Sequence, residues 1–141
     1  MENIDARLLN DCEVLGRFKL CYVLLMRDAN YPWCVLVPDH NNISEIYQLS
    51  KDEQNQLQLE SNTLLKFLQV KFNADKMNVA ALGNVVSQLH VHHIARFKND
   101  IAWPKPVWGT FPAKEYDELV LQKLVSELRL ELTALNLDFV V

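Results

Sequence analysis

The run Ser87-Gln88-Leu89-His90-Val91-His92-His93-Ile94-Ala95-Arg96-Phe97 constrains the fold more than any other stretch. It holds three of the chain's four histidines, the other being His40. Polar and aliphatic residues alternate, and alternation is the mark of a strand, where residues i, i+2 and i+4 share a face. Gln88, His90, His92, Ile94 and Arg96 then face one way, and Leu89, Val91, His93 and Ala95 the other. At a rise of about 3.3 Å per residue, His90 and His92 stand about 6.6 Å apart along one face. Such a strand needs a sheet around it, an apolar layer behind it and a polar site in front.

The remaining elements supply that sheet and layer. Residues 3–11 read as a short helix with Ile4 and Leu8 on its apolar stripe, and Gly16 breaks the chain after it. Residues 18–26 and 33–37 are rich in β-branched, aromatic and aliphatic side chains, and the turn residues 27–32 join them as an antiparallel hairpin that Pro38 stops. Asn41-Asn42 can cap a short helix over 43–49. Ser50-Lys51-Asp52-Glu53 has the capping-box form, which starts a helix over 51–72 with Leu57, Leu64, Leu65, Leu68 and Phe72 on its core side. Residues 76–82 form a third strand, Gly83-Asn84 a turn, and 85–97 the histidine strand. Residues 98–112, with three prolines and Gly109, are irregular. A last helix spans 113–134, with a stripe of Tyr116, Leu119, Val120, Leu124 and Leu128. Strands come in hairpin pairs separated by helices. The fold class is therefore α+β, an antiparallel sheet of about five strands with a long central helix and an extra C-terminal helix.

The chain's 141 residues fit a single domain spanning 1–141, and half of them are hydrophobic, enough for one core. A net charge of −4 offers no broad field to recruit nucleic acid. No secretory signal or membrane-spanning run is visible, so the protein is expected in the cytoplasm, away from membranes. Cys12, Cys21 and Cys34 lie among apolar residues without CxxC spacing and read as buried, reduced thiols.

A single strand histidine is usually a half-buried residue with a hydrogen-bonded partner. Two on one face are different, because neighbouring imidazoles must avoid both being charged and strand stability gives no reason to collect them. Three chemistries could use the pair: divalent metal binding, for which no third ligand is evident; general acid–base catalysis; and nucleophilic attack of a neutral imidazole on phosphorus. A phosphoryl site also needs hydrogen-bond donors, which the Gly83-Asn84 turn could supply.

The segment Gly83-Asn84-Val85-Val86-Ser87-Gln88-Leu89-His90-Val91-His92-His93-Ile94 resembles the signature of the histidine triad (HIT) family, His-φ-His-φ-His-φ-φ with φ hydrophobic. The strand end Val35-Leu36-Val37-Pro38 and the short and long helices after it extend the resemblance over roughly 15–97, leaving 98–141 as a C-terminal loop and helix. The resemblance implies a nucleotide hydrolase or nucleotidyl transferase, acting on a nucleoside phosphoramidate or polyphosphate through a nucleotidyl-histidine intermediate. It also implies a homodimer, a small-molecule nucleotide as partner and no cofactor. The nucleophile falls on His90, and His92 contacts phosphate and leaving group. Asn84 and Gly83 would face phosphate, as would Asn78 on the neighbouring strand, and Asp28 matches a ribose-binding position. Two departures stand out. Gln88 replaces the first histidine of the triad, although the backbone carbonyl that orients the nucleophile survives that change. Val85 replaces a hydroxyl residue. His93 is expected to be structural or on the surface, Arg96 to pair with a surface acid, His40 to serve helix entry, and Trp103 and Trp108 to anchor the loop or close over a site. The alternatives are a HIT-like pocket that binds a nucleotide or other phosphorylated metabolite without turnover, and a metal site at His90 and His92.

Overall fold

The computed structural model describes residues 3–141. Five strands form one antiparallel sheet in the order β1-β2-β3-β5-β4: β1 (Cys12–Arg17), β2 (Cys21–Met26), β3 (Trp33–Pro38), β4 (Lys76–Ala80) and β5 (Val91–Arg96). The helices are α1 (Ala6–Asp11), α2 (Lys51–Phe72) and α3 (Glu118–Thr133), with a single 3-10 turn at Ile46–Gln48. The α+β architecture expected from the sequence is the one observed.

The pleat sorts side chains into two layers. Val23, Leu25, Cys34, Leu36 and Val91 lie on one face, packed with Leu57, Leu64 and Leu68 of α2 and with Leu121, Val125, Leu128 and Leu132 of α3. Leu24, Trp33, Val35, Val37 and Ile94 lie on the other, covered by Ile4, Leu8, Ala102 and Val107. The double helical layer thus backs the sheet, and the thinner cover of N-terminal segment and 98–112 loop leaves room for a site. All three cysteines are free and buried.

Helix α2 begins where its capping box predicts, with the Ser50 hydroxyl accepting from the Glu53 N–H and the Glu53 carboxylate accepting from the Ser50 N–H. It ends at Asn73, which adopts the left-handed conformation that asparagine tolerates. Two polar residues on its buried face lock it to the sheet. The Glu60 carboxylate accepts from the backbone N–H groups of Leu20 at 3.0 Å and Cys21 at 2.8 Å. The Ser61 hydroxyl meets His93 Nε2 at 2.7 Å.

Several expected boundaries move. The first helix starts at Ala6, capped by the Asp5 side chain, and residues 12–17 form an edge strand with an irregularity beside Gly16, where the sequence alone shows a break. A Cβ at Gly16 would lie 2.6 Å from Phe139 Cζ, so this glycine makes room for the C-terminal segment to pair at Val140. The histidine strand is shorter than the expected 85–97. Residues 85–90 are diverted because the Leu89 N–H donates to the Ile43 carbonyl and the Gln88 side chain bonds the N-terminal segment. The last helix starts at Glu118 behind its Asp117 cap, and its core stripe is Leu121, Val125, Leu128 and Leu132. Leu119 and Val120, assigned to the core from sequence, are exposed. The helix carries apolar residues on more than one face, and only docking against the sheet selects among them.

Ser61→Ala should leave His93 Nε2 buried without its partner and destabilise the fold by about 1–3 kcal/mol, read as a lower midpoint in urea unfolding.

Candidate functional site

The three imidazoles of the histidine run are held by three different Nδ1 partners. His90 Nδ1 lies 2.7 Å from the carbonyl oxygen of Gln88. A carbonyl only accepts, so Nδ1 carries the proton and the neutral ring keeps a lone pair on Nε2. His92 is the reverse. Its Nδ1 accepts from the indole N–H of Trp33 at 2.9 Å, so in the neutral ring the proton sits on Nε2. The two rings lie 4.9 Å apart at 72°. One presents a lone pair and the other an N–H donor, on the same face of the sheet.

His93 points into the helical layer, as face counting predicts, and it is fully buried rather than on the surface. Its Nδ1 donates to the Val91 carbonyl at 3.0 Å, and its Nε2 accepts from Ser61. Both nitrogens are used inside the core, so it plays no part in the site.

Burial drives His92 down to about 3, with smaller contributions from the His90 and His93 charges. Burial also drives His93 down to about 4, against the opposing pull of its backbone hydrogen bonds. Both rings are therefore neutral near pH 7. Burial pushes the Cys12 and Cys34 thiols up to about 12, which removes them as nucleophiles.

His90 and His92 open into a cavity of about 640 Å³ whose walls include Gly83, Asn84, Val85, Arg7, Asn10 and Trp108. Gly83 and Asn84 are thus brought to the histidine pair, not as a tight turn between strands but within the ten-residue connection from Ala80 to Val91, with Gly83 at φ 75°, a value that suits glycine. Val85 is 77 % exposed and lines the wall with an isopropyl group, which offers no hydrogen bond to a phosphate. Gln88 reaches the pair through its backbone carbonyl, while its side chain turns away to the N-terminal segment.

Two expected residues lie elsewhere. The Asn78 side-chain Oδ1 accepts from Arg96 Nη1 at 2.9 Å, which commits it to a structural network rather than to the cavity wall. Arg96 is buried, and its acid is the buried Asp100 at 2.9 Å rather than one on the surface. Asp28 is buried in an adjoining cavity of about 480 Å³, where its Oδ1 accepts from the N–H groups of Asn30 and Lys114. The two cavities share Asn10, Asp11, Met26 and Trp108 as walls. His40 sits outside both, its Nε2 3.6 Å from the Glu53 carboxylate at the start of α2.

Sequence reasoning missed Trp33, Arg7 and the full part played by Trp108. The Trp108 ring packs edge-on against His92 at 5.0 Å and against Trp33 at 5.7 Å, so it both anchors the loop and shapes the site. The Trp33 contact follows from register, since β3 pairs with β5 through Trp33↔Ile94 and Val35↔His92. A lone tryptophan in an apolar strand carries no signal of its own. Among the described residues, no group of three or more His, Cys, Asp or Glu side chains is placed to hold a metal ion. No helix among them is long and apolar enough to cross a membrane.

The HIT domain model matches residues 7–99, well over half of the chain. A histidine triad protein from Marinobacter aquaeolei VT8 is 46% identical, with a TM-score of 0.86 over 89% of this chain and 91% of its own. A histidine triad protein from Bradyrhizobium japonicum is 43% identical, with a TM-score of 0.86 over 89% of this chain and 94% of its own. A HIT protein from Sinorhizobium meliloti 1021 is 38% identical, again with a TM-score of 0.86, over 91% and 94%. No curated protein matches. The chain belongs to the HIT domain family, and membership supports a HIT-type nucleotide-binding or hydrolase function.

The depressed histidines make stability depend on pH. An unfolded imidazole takes up its proton near 6.5, whereas His92 and His93 stay neutral in the fold until about 3 and about 4. Their contribution is fully present above about pH 6.5 and is lost as pH falls toward the folded values, because the unfolded chain there binds more protons. Urea unfolding between about pH 6.5 and about pH 5 should show stability falling with acid, and His93→Gln should remove about half of that slope. Equal slopes in the two proteins would contradict the assignment.

Proposed function

We propose that the protein is a HIT-type hydrolase or nucleotidyl transferase that cleaves a nucleoside phosphoramidate or polyphosphate through a nucleotidyl-His90 intermediate. The observation that carries this reading is the opposed pair of tautomers. His90 Nε2 has the free lone pair needed to attack the α-phosphorus. As the P–N bond to the imidazole forms, the bond from phosphorus to the leaving group breaks, and the leaving group departs with its electron pair, an amine taking up a proton from water as it leaves. The ring becomes cationic, and its Nδ1–H bond to the Gln88 carbonyl strengthens as that charge develops.

His92 offers Nε2–H to a non-bridging oxygen or to the departing atom. Because it is held neutral, its role is hydrogen-bond donation rather than delivery of a full proton. The Gly83-Asn84 segment and the rim residue Arg7 add donors for phosphate oxygens. Water then attacks the same phosphorus, the P–N bond to His90 breaks, and the nucleoside monophosphate leaves as a proton passes to solvent. No metal enters these steps. The family pattern extends the proposal to a homodimer, and Asp28 in the adjoining cavity is the group we assign to the ribose.

Val85 favours one rival. An exposed valine in place of a hydroxyl removes a donor to phosphate, which suits a pocket that binds a nucleotide or phosphorylated metabolite without turning it over. Incubation with an adenosine phosphoramidate or a dinucleoside polyphosphate, followed by intact-mass measurement, separates the two. An adenylyl adduct on the wild type that is absent from His90→Ala, with turnover reduced at least about a thousandfold, is the expected result. Nucleotide binding with neither adduct nor product would leave the binding module standing and remove the enzyme.

A further inference from the structure

Gln88 stands where the family pattern has its first histidine, and its two halves do two different things. Its backbone carbonyl accepts the His90 Nδ1–H at 2.7 Å. Its side-chain Oε1 accepts from the backbone N–H of Asp5 at 2.8 Å, and its Nε2 donates to the Asn3 carbonyl. The primary amide therefore satisfies one backbone acceptor and one backbone donor of the same segment, as a neighbouring strand would. A carboxamide holds its donor and its acceptor on one carbon, which is the geometry this clasp requires.

The segment so held is well anchored. Ile4 and Leu8 are buried beneath it. The Asn3 side chain donates to Asp39 at 2.8 Å. Arg7 pairs with Asp5 at 3.1 Å and donates from Nη1 to the Val85 carbonyl at 3.0 Å, which ties the segment to the loop before the histidines a second time. Helix α1 then lends Arg7, Leu8 and Asn10 to the wall of the His90 cavity. On the other side, the Leu89 N–H is fixed by the Ile43 carbonyl. The peptide that presents the carbonyl to His90 is thus gripped at its side chain and at its following amide.

We propose that Gln88 is a positioning residue: by clasping the Asn3–Asp5 backbone, its side chain holds its own carbonyl under His90 and so keeps the nucleophilic nitrogen free. The inference rests on His90 as the nucleophile, and it makes the N-terminal segment part of the active site. It also accounts for a triad lacking its first histidine. The backbone carbonyl that orients the nucleophile is kept, the clasp sets its direction, and the missing imidazole is replaced by a hold on the chain's own backbone.

Long-range ¹H–¹⁵N correlation of the imidazoles reads the His90 tautomer without any need for turnover. Wild type should show His90 protonated on Nδ1, and Gln88→Ala should show a mixture of the two tautomers. With an adenosine phosphoramidate, Gln88→Ala should form the His90 adduct about tenfold more slowly. KM should stay within about twofold, since the Gln88 side chain does not line the cavity.

Asp5→Pro deletes the N–H that Gln88 accepts, at a residue whose φ of −54° suits proline, whereas Asp5→Ala keeps it. The first should shift the tautomer balance, the second should not, and Gln88→Ala should gain nothing further from Asp5→Pro. A wild-type tautomer and adduct rate in Gln88→Ala would overturn the proposal, as would equal spectra for Asp5→Pro and Asp5→Ala. If the wild type forms no adduct at all, the proposed reaction fails while the spectra still decide the clasp.

Discussion

The site depends on what each Nδ1 of the histidine run faces. Chemically the three imidazoles are identical, and they sit within four consecutive residues. A carbonyl below His90 makes it an acceptor at Nε2. An indole N–H beside His92 makes it a donor at Nε2. A carbonyl and a serine exhaust His93 inside the core. Neutral imidazole has one donor and one acceptor, so fixing one nitrogen fixes the other. Burial keeps His92 and His93 neutral and so preserves the pattern.

The partners are themselves fixed by packing. Trp33 reaches His92 because β3 and β5 are adjacent and in register, with Tyr31 and Trp108 set edge-on around the indole. β5 is the second strand from the edge, between β3 and β4, and it is buried along its whole length. At its far end, Arg96 would be a costly buried charge if it were left alone. Asp100 accepts from its Nε at 2.9 Å and its Nη2 at 3.1 Å, and Asn78 accepts from its Nη1. Tyr31 and Trp103 rings flank the guanidinium at 5.5 and 5.7 Å. The same Asp100 accepts from the backbone N–H groups of Phe97, Ala102 and Trp103, which folds the loop back over the sheet and carries Trp108 to His92. One buried ion pair thus connects the end of the histidine strand to the cover of the site.

The helical layer has a simpler task. α2 and α3 fill the back of the sheet with leucine and valine; Glu60 and Ser61 of α2 go to the Leu20-Cys21 backbone and to His93, and Arg129 of α3 donates to the Val14 and Leu15 carbonyls of β1. That arrangement leaves the front face free to hold polar groups without loss of core. α3 follows the matched HIT region, and its Leu128 and Leu132 are fully buried, so it is an integral part of this core rather than an appendage.

Local signals in the sequence determined a good deal. The capping box placed the start of α2, alternation assigned His90 and His92 to one face and His93 to the other, and the short connection from Met26 to Trp33 marked an antiparallel pair. These features depend on neighbours within a few residues, and backbone geometry makes them legible. The nearness of Gly83 and Asn84 to the histidines was legible for the same reason, but the tight turn expected there is instead part of a ten-residue connection between β4 and β5. What only the tertiary structure decided depends on contacts between distant residues. The pairing of Trp33 with His92 spans 59 residues and the hold of Gln88 on Asp5 spans 83. The diversion of Asn78 to Arg96, the docked stripe of α3 and the edge strand at Cys12–Arg17 are of the same kind. Sequence placed the imidazoles in a row. The fold gave each ring its proton, because a tautomer is set by the partner across the gap and not by the residue beside it.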